Sequence, residues 1–322
     1  MKKIMFFAVF SVGFCLFFTA CSDKDDKKQN VSKQAKEEKA EIAKDNNQEI
    51  YSLVKGKDPQ ELKKYVKPQN VNLVDKDGNN ALLIAAGEYN RAEVINILIE
   101  AGANTEIKNN KGYTPLMVAI RNTRAENALA LIKAGADVNA AYDKPYDNED
   151  KTTPLMYAVS DSMVNEPKVI QALIDAGAEI NAKNAIGNTP LLIAARHSWL
   201  KPVNLEILIK SGANIEEKNK DGYTPLMIAV RNSRTESALI LIKAGANVNV
   251  SVDENKITPL MYAMSRDVSA DPVVIKALVD YGADINAKDA KGQSVFDYSQ
   301  KSSSKEKVEK YTQILLDAKN KK

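Results

Sequence analysis

The tetrapeptide Thr-Pro-Leu-Met occurs at 114–117, 153–156, 224–227 and 258–261, and Thr-Pro-Leu-Leu stands at 189–192. A Gly-Ala pair follows each, at 135–136, 177–178, 245–246, 282–283 and, for the Leu copy, 212–213. Asn80-Ala81 with Gly102-Ala103 has the same frame. A chain built from one recurring unit of about 33 to 39 residues stacks those units into a solenoid, because no unit can bury its apolar face alone. A solenoid presents long surfaces and few deep pockets.

One unit shows why each copy folds. In Gly112-Tyr113-Thr114-Pro115-Leu116-Met117-Val118-Ala119, Thr is a good helix N-cap and Pro suits the first helical position, which needs no N–H bond. Leu116, Val118, Ala119 and Ile120 give a short helix an apolar side, and small alanines let paired helices approach closely. A second helix is predicted from Ala128, Leu129, Leu131 and Ile132 at helical spacing. Gly135 then supplies the left-handed position that ends a helix, and Asp137-Val138-Asn139 leads into an extended turn.

The sequence Gly-x-Thr-Pro-Leu, then Ala, then Gly-Ala-Asp-Val-Asn resembles the ankyrin repeat, in phase from 78 to 289. The resemblance implies an all-α solenoid of helix–turn–helix units, each with a β-hairpin finger. Six full repeats are expected, beginning near Asp77, Lys111, Lys151, Ile186, Asp221 and Lys256. Residues 47–74 read as an N-terminal cap carrying Ile50, Leu53, Val54, Leu62, Tyr65, Val66 and Val71. Residues 291–318 read as a C-terminal cap with Ser294-Val295-Phe296 in place of Thr-Pro-Leu. The family's histidine after Thr-Pro-Leu is Met117, Met156, Leu192, Met227 or Met261 here. In the family that histidine ties repeats together by hydrogen bonds, so a greasier and less rigidly specified seam is expected.

A longer period lies over the short one. Residues 111–140 and 221–250 agree at 21 of 30 positions, including Arg-Asn-x-Arg-x-Glu at 121–126 and 231–236. Met-Tyr-Ala at 156–158 recurs at 261–263, and Leu-Ile-Ala-Ala at 83–86 recurs at 192–195. Spans from cap to glycine run 22, 21, 24 and then 23, 21, 24 residues. Duplication of a three-repeat block explains all of this, and predicts two similar surfaces about one block apart for a repetitive or two-part partner.

The N-terminus has a different character. Lys2-Lys3 precedes the uncharged apolar run Ile4 to Phe18, and Thr19-Ala20-Cys21 follows. This reads as a secretory signal over 1–20. Phe18-Thr19-Ala20-Cys21 resembles the lipobox of bacterial lipoproteins, with Phe18 where Leu is usual, which implies lipidation of Cys21. An uncleaved anchor and simple secretion are the alternatives. Polar residues 21–46 cannot bury a core and read as a charged flexible linker, ahead of a repeat domain at 47–318. The expected location is a bacterial cell envelope, lipid-anchored at a periplasmic face or outer membrane. Ser22 favours the latter. Apart from Cys15 and Cys21 there is no cysteine, which suits an oxidising compartment.

Lys and Arg total 45 against 42 Asp and Glu, a net charge of +3 that gives no bulk-charge case for nucleic acid. The single histidine, His197, has no cysteine partner in the repeats, so Cys- or His-based nucleophile pairs are excluded there. No enzyme activity, no cofactor and no metal are expected. The long finger 140–151 is acidic but lacks the Asp-x-Asp-x-Asp-Gly spacing of a calcium loop.

The resemblance places a protein partner along the concave groove and fingers of a monomer. Candidate contacts are Tyr89, Arg121, Arg124, Arg196, His197, Arg231, Arg234 and Arg266 beyond the first helices, with Tyr142 and Tyr146 on the long finger. Arginine suits bidentate carboxylate contacts. The plainer reading is a solvated face on which these arginines pair with Glu126 or Glu236, and an inert loop. Trp199 pins an inter-helix turn or binds. A non-enzymatic, membrane-anchored scaffold results; an effector that binds a host protein and a passive structural lipoprotein are the competing readings.

Overall fold

The computed structural model describes residues 48–56, 58–142, 151–160, 166–196, 202–252, 254–265, 270–300 and 304–320. Cys21, Tyr146, His197, Trp199 and Arg266 lie outside the described residues. All described residues belong to one compact unit within Asn46–Lys322.

Among the described residues there are six helix pairs: α3 (Ala81–Gly87) with α4 (Ala92–Glu100), α5 (Pro115–Arg121) with α6 (Ala125–Lys133), α7 (Pro154–Ser160) with α8 (Pro167–Asp175), α9 (Pro190–Arg196) with α10 (Pro202–Lys210), α11 (Pro225–Arg231) with α12 (Thr235–Lys243), and α13 (Pro259–Met264) with α14 (Pro272–Asp280). Ahead of them lie α1, helical over 48–55, and α2 (Pro59–Tyr65). Behind them lie α15 (Val295–Ser299) and α16 (Lys305–Asn320). Each first helix packs on the first helix of the next repeat, and each second helix on the next second helix, so the solenoid has two layers.

The recurring residues do the local work expected of them. Thr114, Thr153, Thr189, Thr224 and Thr258 each accept a hydrogen bond from the amide three residues on, at 3.3–3.4 Å, and Asn80 does so at 2.9 Å. At the other end of each unit the Gly amide donates into the last helical turn and the next Ala amide reaches one residue further back. Gly135 donates to Ile132 and Ala136 to Leu131. This closure requires a left-handed residue, and Gly135 has φ +83°.

Leu116, Ala119, Leu155, Leu226, Leu241 and Leu260 are fully buried in one continuous core. The caps seal it. Ile50, Val54, Leu62 and Val71 are buried at one end, while Tyr65 stays 38% exposed. At the other end Ser294 and Asp297 form a reciprocal capping box, and the buried Tyr311 hydroxyl donates to the Ala270 carbonyl at 2.8 Å.

Two expectations need correction. The fingers are turns more than hairpins: among the described residues only Val252–Ile257 and Lys288–Ser294 form bridges. Short fingers are closed by an Asx side chain. In the first, Asp75 accepts from the amides of Asp77 and Asn79, and its own amide donates to the Asn79 carbonyl. These side-chain bonds satisfy the backbone that a strand ladder would otherwise serve.

The second correction concerns the seam. Met117, Met156, Met227 and Met261 are fully buried, as an apolar replacement for histidine requires. Yet the seam is well supplied with hydrogen bonds. Asn72, Glu106, Asn139, Asn181, Glu216 and Asn249 accept in turn from the amides of Asn104, Asp137, Glu179, Asn214, Asn247 and Asp284, at 2.7–3.0 Å. One rung therefore ties every repeat to the next. The rungs run Asn, Glu, Asn and again Asn, Glu, Asn, the same three-repeat period that the sequence shows.

Candidate partner-binding face

The last residues of the six first helices are Gly87, Arg121, Ser160, Arg196, Arg231 and Met264, the last followed by Ser265. Three residues earlier, on the same helical face, stand Ile84, Val118, Tyr157, Ile193 and Ile228, with Tyr262 in the sixth repeat. The two rows make a band along the first-helix layer: Ile84, Val118 and Tyr262 are half-buried along it, Tyr157, Ile193 and Ile228 are buried beneath it, and arginines stand at its edge. Arg121, Arg196 and Arg231 are exposed.

Tyrosines from the fingers join this band. Tyr113 immediately precedes the Thr114 cap, and the Arg121 guanidinium lies over its ring at 4.6 Å and over the Tyr157 ring at 5.0 Å. Tyr113 also stacks on Tyr142 at 5.0 Å. In the second block the Arg231 guanidinium lies 4.8 Å over Tyr223, and the Tyr223 and Tyr262 hydroxyls are hydrogen-bonded at 3.0 Å. Tyr113, Arg121 and Tyr157 correspond to Tyr223, Arg231 and Tyr262 across the duplication. A guanidinium held over a ring gains about 0.5–1 kcal/mol at an exposed site. Stacking occupies its face, whereas its N–H donors lie in its plane.

The structure separates the predicted residues into groups. Arg121, Arg196 and Arg231 share the band. Arg124 and Arg234 are seated between repeats: their Nε atoms donate to the carbonyls that end the preceding first helices, Gly87 at 3.0 Å and Arg196 at 2.9 Å. Both are half-buried, and their packing serves the seam. Tyr89 is 69% exposed beneath the Arg124 guanidinium, 3.3 Å from ring centre to Cζ.

Tyr142 must be withdrawn as a partner contact. It is 5% exposed, stacked on Tyr113, and exchanges backbone hydrogen bonds with Lys151 and Thr152 that close the base of the long finger. Among charged finger residues a tyrosine looks like a contact; here it is a piece of core.

Sequence reasoning missed Tyr113, Tyr223 and Tyr262 as members of this face, and Tyr157, 4% exposed, as the core ring on which Arg121 rests. Their signal was present, since Gly-Tyr-Thr-Pro-Leu and Met-Tyr-Ala both repeat at the block period. It also missed Asn127, 1% exposed on α6. The Asn127 amide donates to the carbonyls of Ala85, Ala86 and Glu88 at 3.1, 3.3 and 2.8 Å, and its oxygen accepts from the Arg91 amide at 2.9 Å. It holds the turn between α3 and α4 against the next repeat.

Among the described residues no helix is long and apolar enough to cross a membrane, and no group of three or more His, Cys, Asp or Glu side chains is placed to hold a metal.

The model of the family described as "Ankyrin repeats (3 copies)" matches residues 50–142 and 155–252, and that of the "Ankyrin repeat" matches 255–290. The chain is an ankyrin-repeat protein. The two three-copy matches end on Tyr142 and Val252, equivalent positions of the two blocks. Human Ankyrin repeat and KH domain-containing protein 1 is 36% identical over 117 residues, covering 36% of this chain and 4% of that protein. The chicken Nuclear factor NF-kappa-B p105 subunit is 30% identical over 135 residues, 41% of this chain and 13% of that protein. The chain thus spans only a small part of these relatives' length. The human ASB11 ankyrin repeat domain superposes with a TM-score of 0.58 at 25% identity, covering 74% of this chain and 98% of that one. Ankyrin repeats are protein–protein interaction scaffolds, typically without catalysis, and this protein has the helix pairs, caps and continuous core of that scaffold.

Proposed function

We propose that this ankyrin-repeat protein is a lipid-anchored, non-enzymatic scaffold of a bacterial cell envelope, which binds another protein along its first-helix face. The observation that carries the binding half is the twin arrangement of Tyr113, Arg121 and Tyr157 and of Tyr223, Arg231 and Tyr262 on one band. An ordinary solvated face leaves its arginines mobile. Here the guanidinium groups are held over rings, which reduces the ordering a partner must impose. Tyrosine and arginine are also the residue types that dominate interface energies.

The tether rests on Phe18-Thr19-Ala20-Cys21 behind a basic and apolar leader. A lipid on Cys21 followed by a polar linker would hold the repeats near a membrane while leaving the band accessible. Stable anchoring by lipid needs more than one chain, which a diacylated cysteine supplies.

Two variants test the two halves. Cys21→Ser should move the full-length protein from the detergent phase to the aqueous phase; retention of the variant with membranes would contradict the lipid anchor. The triple variant Arg121→Glu, Arg196→Glu, Arg231→Glu should lose the partner that wild type retains after crosslinking in native membranes. An unchanged set of crosslinked proteins would refute the band as the binding face and favour a passive structural role.

A further inference from the structure

The fingers carry a second row of charge, distinct from the arginine band. Their tips present the exposed lysines Lys76, Lys111, Lys151, Lys220, Lys256 and Lys291, one from each finger but the fourth. Among the described residues none of the six is in an ion pair. On the helices, by contrast, Lys210, Lys276 and Lys310 are each neutralised by a carboxylate four residues away. In the fourth finger Lys183 is paired with Glu217 at 2.6 Å, and Ile186, 37% exposed, stands at the tip. No finger contains an arginine.

Two of these lysines occupy strained backbone. Lys151 and Lys256 have φ +62° and +55°, at the position two before the cap residue. Gly78, Gly112, Gly187, Gly222 and Gly292 fill that position in the other fingers. A side chain is disfavoured in this left-handed region, so a cation is kept there at a cost to the fold. Strain retained against an easy alternative points to a use for the side chain. The tips are also fixed to one another. The Asn110 amide donates to the Asp77 carbonyl at 3.0 Å, the Lys220 amide to Ile186 at 3.3 Å and the Ala290 amide to Asn255 at 2.8 Å. With helix layers about 8–10 Å apart, the six steps from the first finger to the last make an edge about 48–60 Å long.

We infer that the finger-tip edge is a membrane-contact surface, whose lysine ammonium groups lie against the phosphates of an anionic lipid surface. The sign follows from the segregation of charge. Finger carboxylates gather toward the bases, where Glu106 and Glu216 accept the rung amides. Among the described residues the exposed carboxylates at the tips are Asp77, Asp221 and Glu254, three against six lysines. Residues 143–150 of the third finger lie outside the described residues. The kind of anion follows from the residue type. Lysine is a hydrated point charge on a flexible stem, suited to a diffuse anionic plane, whereas a docked carboxylate or a single phosphate favours the arginine fork. A nucleic-acid strand is disfavoured, because Tyr113, Tyr142 and Tyr223 are half-buried or buried against other side chains and offer no bases a stacking platform. A tether at Cys21 would present this edge to such a surface at high local concentration, but the edge has its own affinity without it.

Sedimentation of the full-length Cys21→Ser protein with lipid vesicles at low ionic strength tests this without the tether. Vesicles of phosphatidylcholine mixed with phosphatidylglycerol should carry the protein down, and added salt should release it; phosphatidylcholine alone should not bind. Each lysine near an anionic surface contributes about fivefold in affinity, so Lys111→Gln, Lys220→Gln and Lys291→Gln together should weaken binding roughly a hundredfold. The same charge change at Lys133, Lys168 and Lys243, exposed on the second helices, should stay within about twofold. Lys151→Gly with Lys256→Gly should weaken binding about 25-fold while melting no lower, because glycine relieves the left-handed strain. Equal losses from the finger set and the second-helix set would overturn the inference, leaving only bulk charge. Equal binding to both kinds of vesicle would also overturn it, since the apolar leader alone would then be responsible. So would failure to bind either kind, or capture by soluble polyphosphate in place of vesicles. No partner protein enters this assay, so the scaffold reading stands or falls separately, on whether the native partner crosslinks to the band.

Discussion

Replacing Asn127 by alanine perturbs the solenoid at one seam. The side chain is buried and joins α6 to the end of α3, the following turn and the start of α4. Its NH2 group has two hydrogens shared among three carbonyls, and its oxygen takes the Arg91 amide. Counting two donations and one acceptance at a net value of about 1 kcal/mol each gives about 3 kcal/mol. Alanine adds a small void and leaves the Arg91 amide without that partner, so a cost of about 2–4 kcal/mol is expected. Ser237 stands at the equivalent place in the second block and is only half-buried, so Ser237→Ala should stay within about 0.5 kcal/mol. Urea unfolding of both variants measures the difference. Solenoid stability is a sum of repeat and nearest-neighbour terms, so the loss should concentrate in the first repeat and appear as faster amide exchange in α3 and α4. Asn127→Asp keeps the acceptor but faces a carboxylate to carbonyls, and should be at least as destabilising at neutral pH. A cost below about 0.5 kcal/mol for Asn127→Ala, or a penalty spread evenly along the chain, would refute the reasoning.

Three further outcomes are expected. Leu226→Ala, at a fully buried position in α11, should cost about 2–5 kcal/mol in the same unfolding assay. Above pH 10 the ends should loosen first. Burial and Asp75 push the Tyr51 phenol up to about 12, and burial with the Asp289 hydrogen bond does the same for Tyr298. The unfolded chain then loses these protons near its ordinary value of about 10 before the folded one does, so stability falls between about pH 10 and 12. Tyr51→Phe and Tyr298→Phe should flatten that fall in pH-dependent melting curves. Thr123, a β-branched residue at φ +60°, is strained, and Thr123→Asn should raise stability by up to about 1 kcal/mol by thermal melting.

What the sequence made legible follows its periodicity. Thr114-Pro115 and Gly135 act through their own backbone, so cap and stop were readable one residue at a time. Asn127 and Arg124 act on the neighbouring repeat, at partners three dozen or more positions away, and no local pattern marks them. Tyr142 shows the opposite error. Its charged surroundings in sequence suggested exposure, whereas the chain folds it back onto Tyr113, which lies beyond any local window. The greasy seam inferred from Met117 was half the picture, because side chains at the bases of the fingers add a hydrogen bond from each repeat to the next. The block period was the most informative signal. It foretold paired surfaces, but only the geometry placed Tyr113, Arg121 and Tyr157 in contact.

The most direct test of the central claim is photocrosslinking in native membranes, with a photoreactive amino acid placed once per variant. Arg196, on the band, and Glu236, exposed at the start of α12 in the second-helix layer, are the two positions to compare. The account predicts a discrete protein adduct from position 196 and none from position 236. Adducts of equal yield and identity from both, or an adduct from 236 alone, would contradict the assignment of partner binding to the first-helix face.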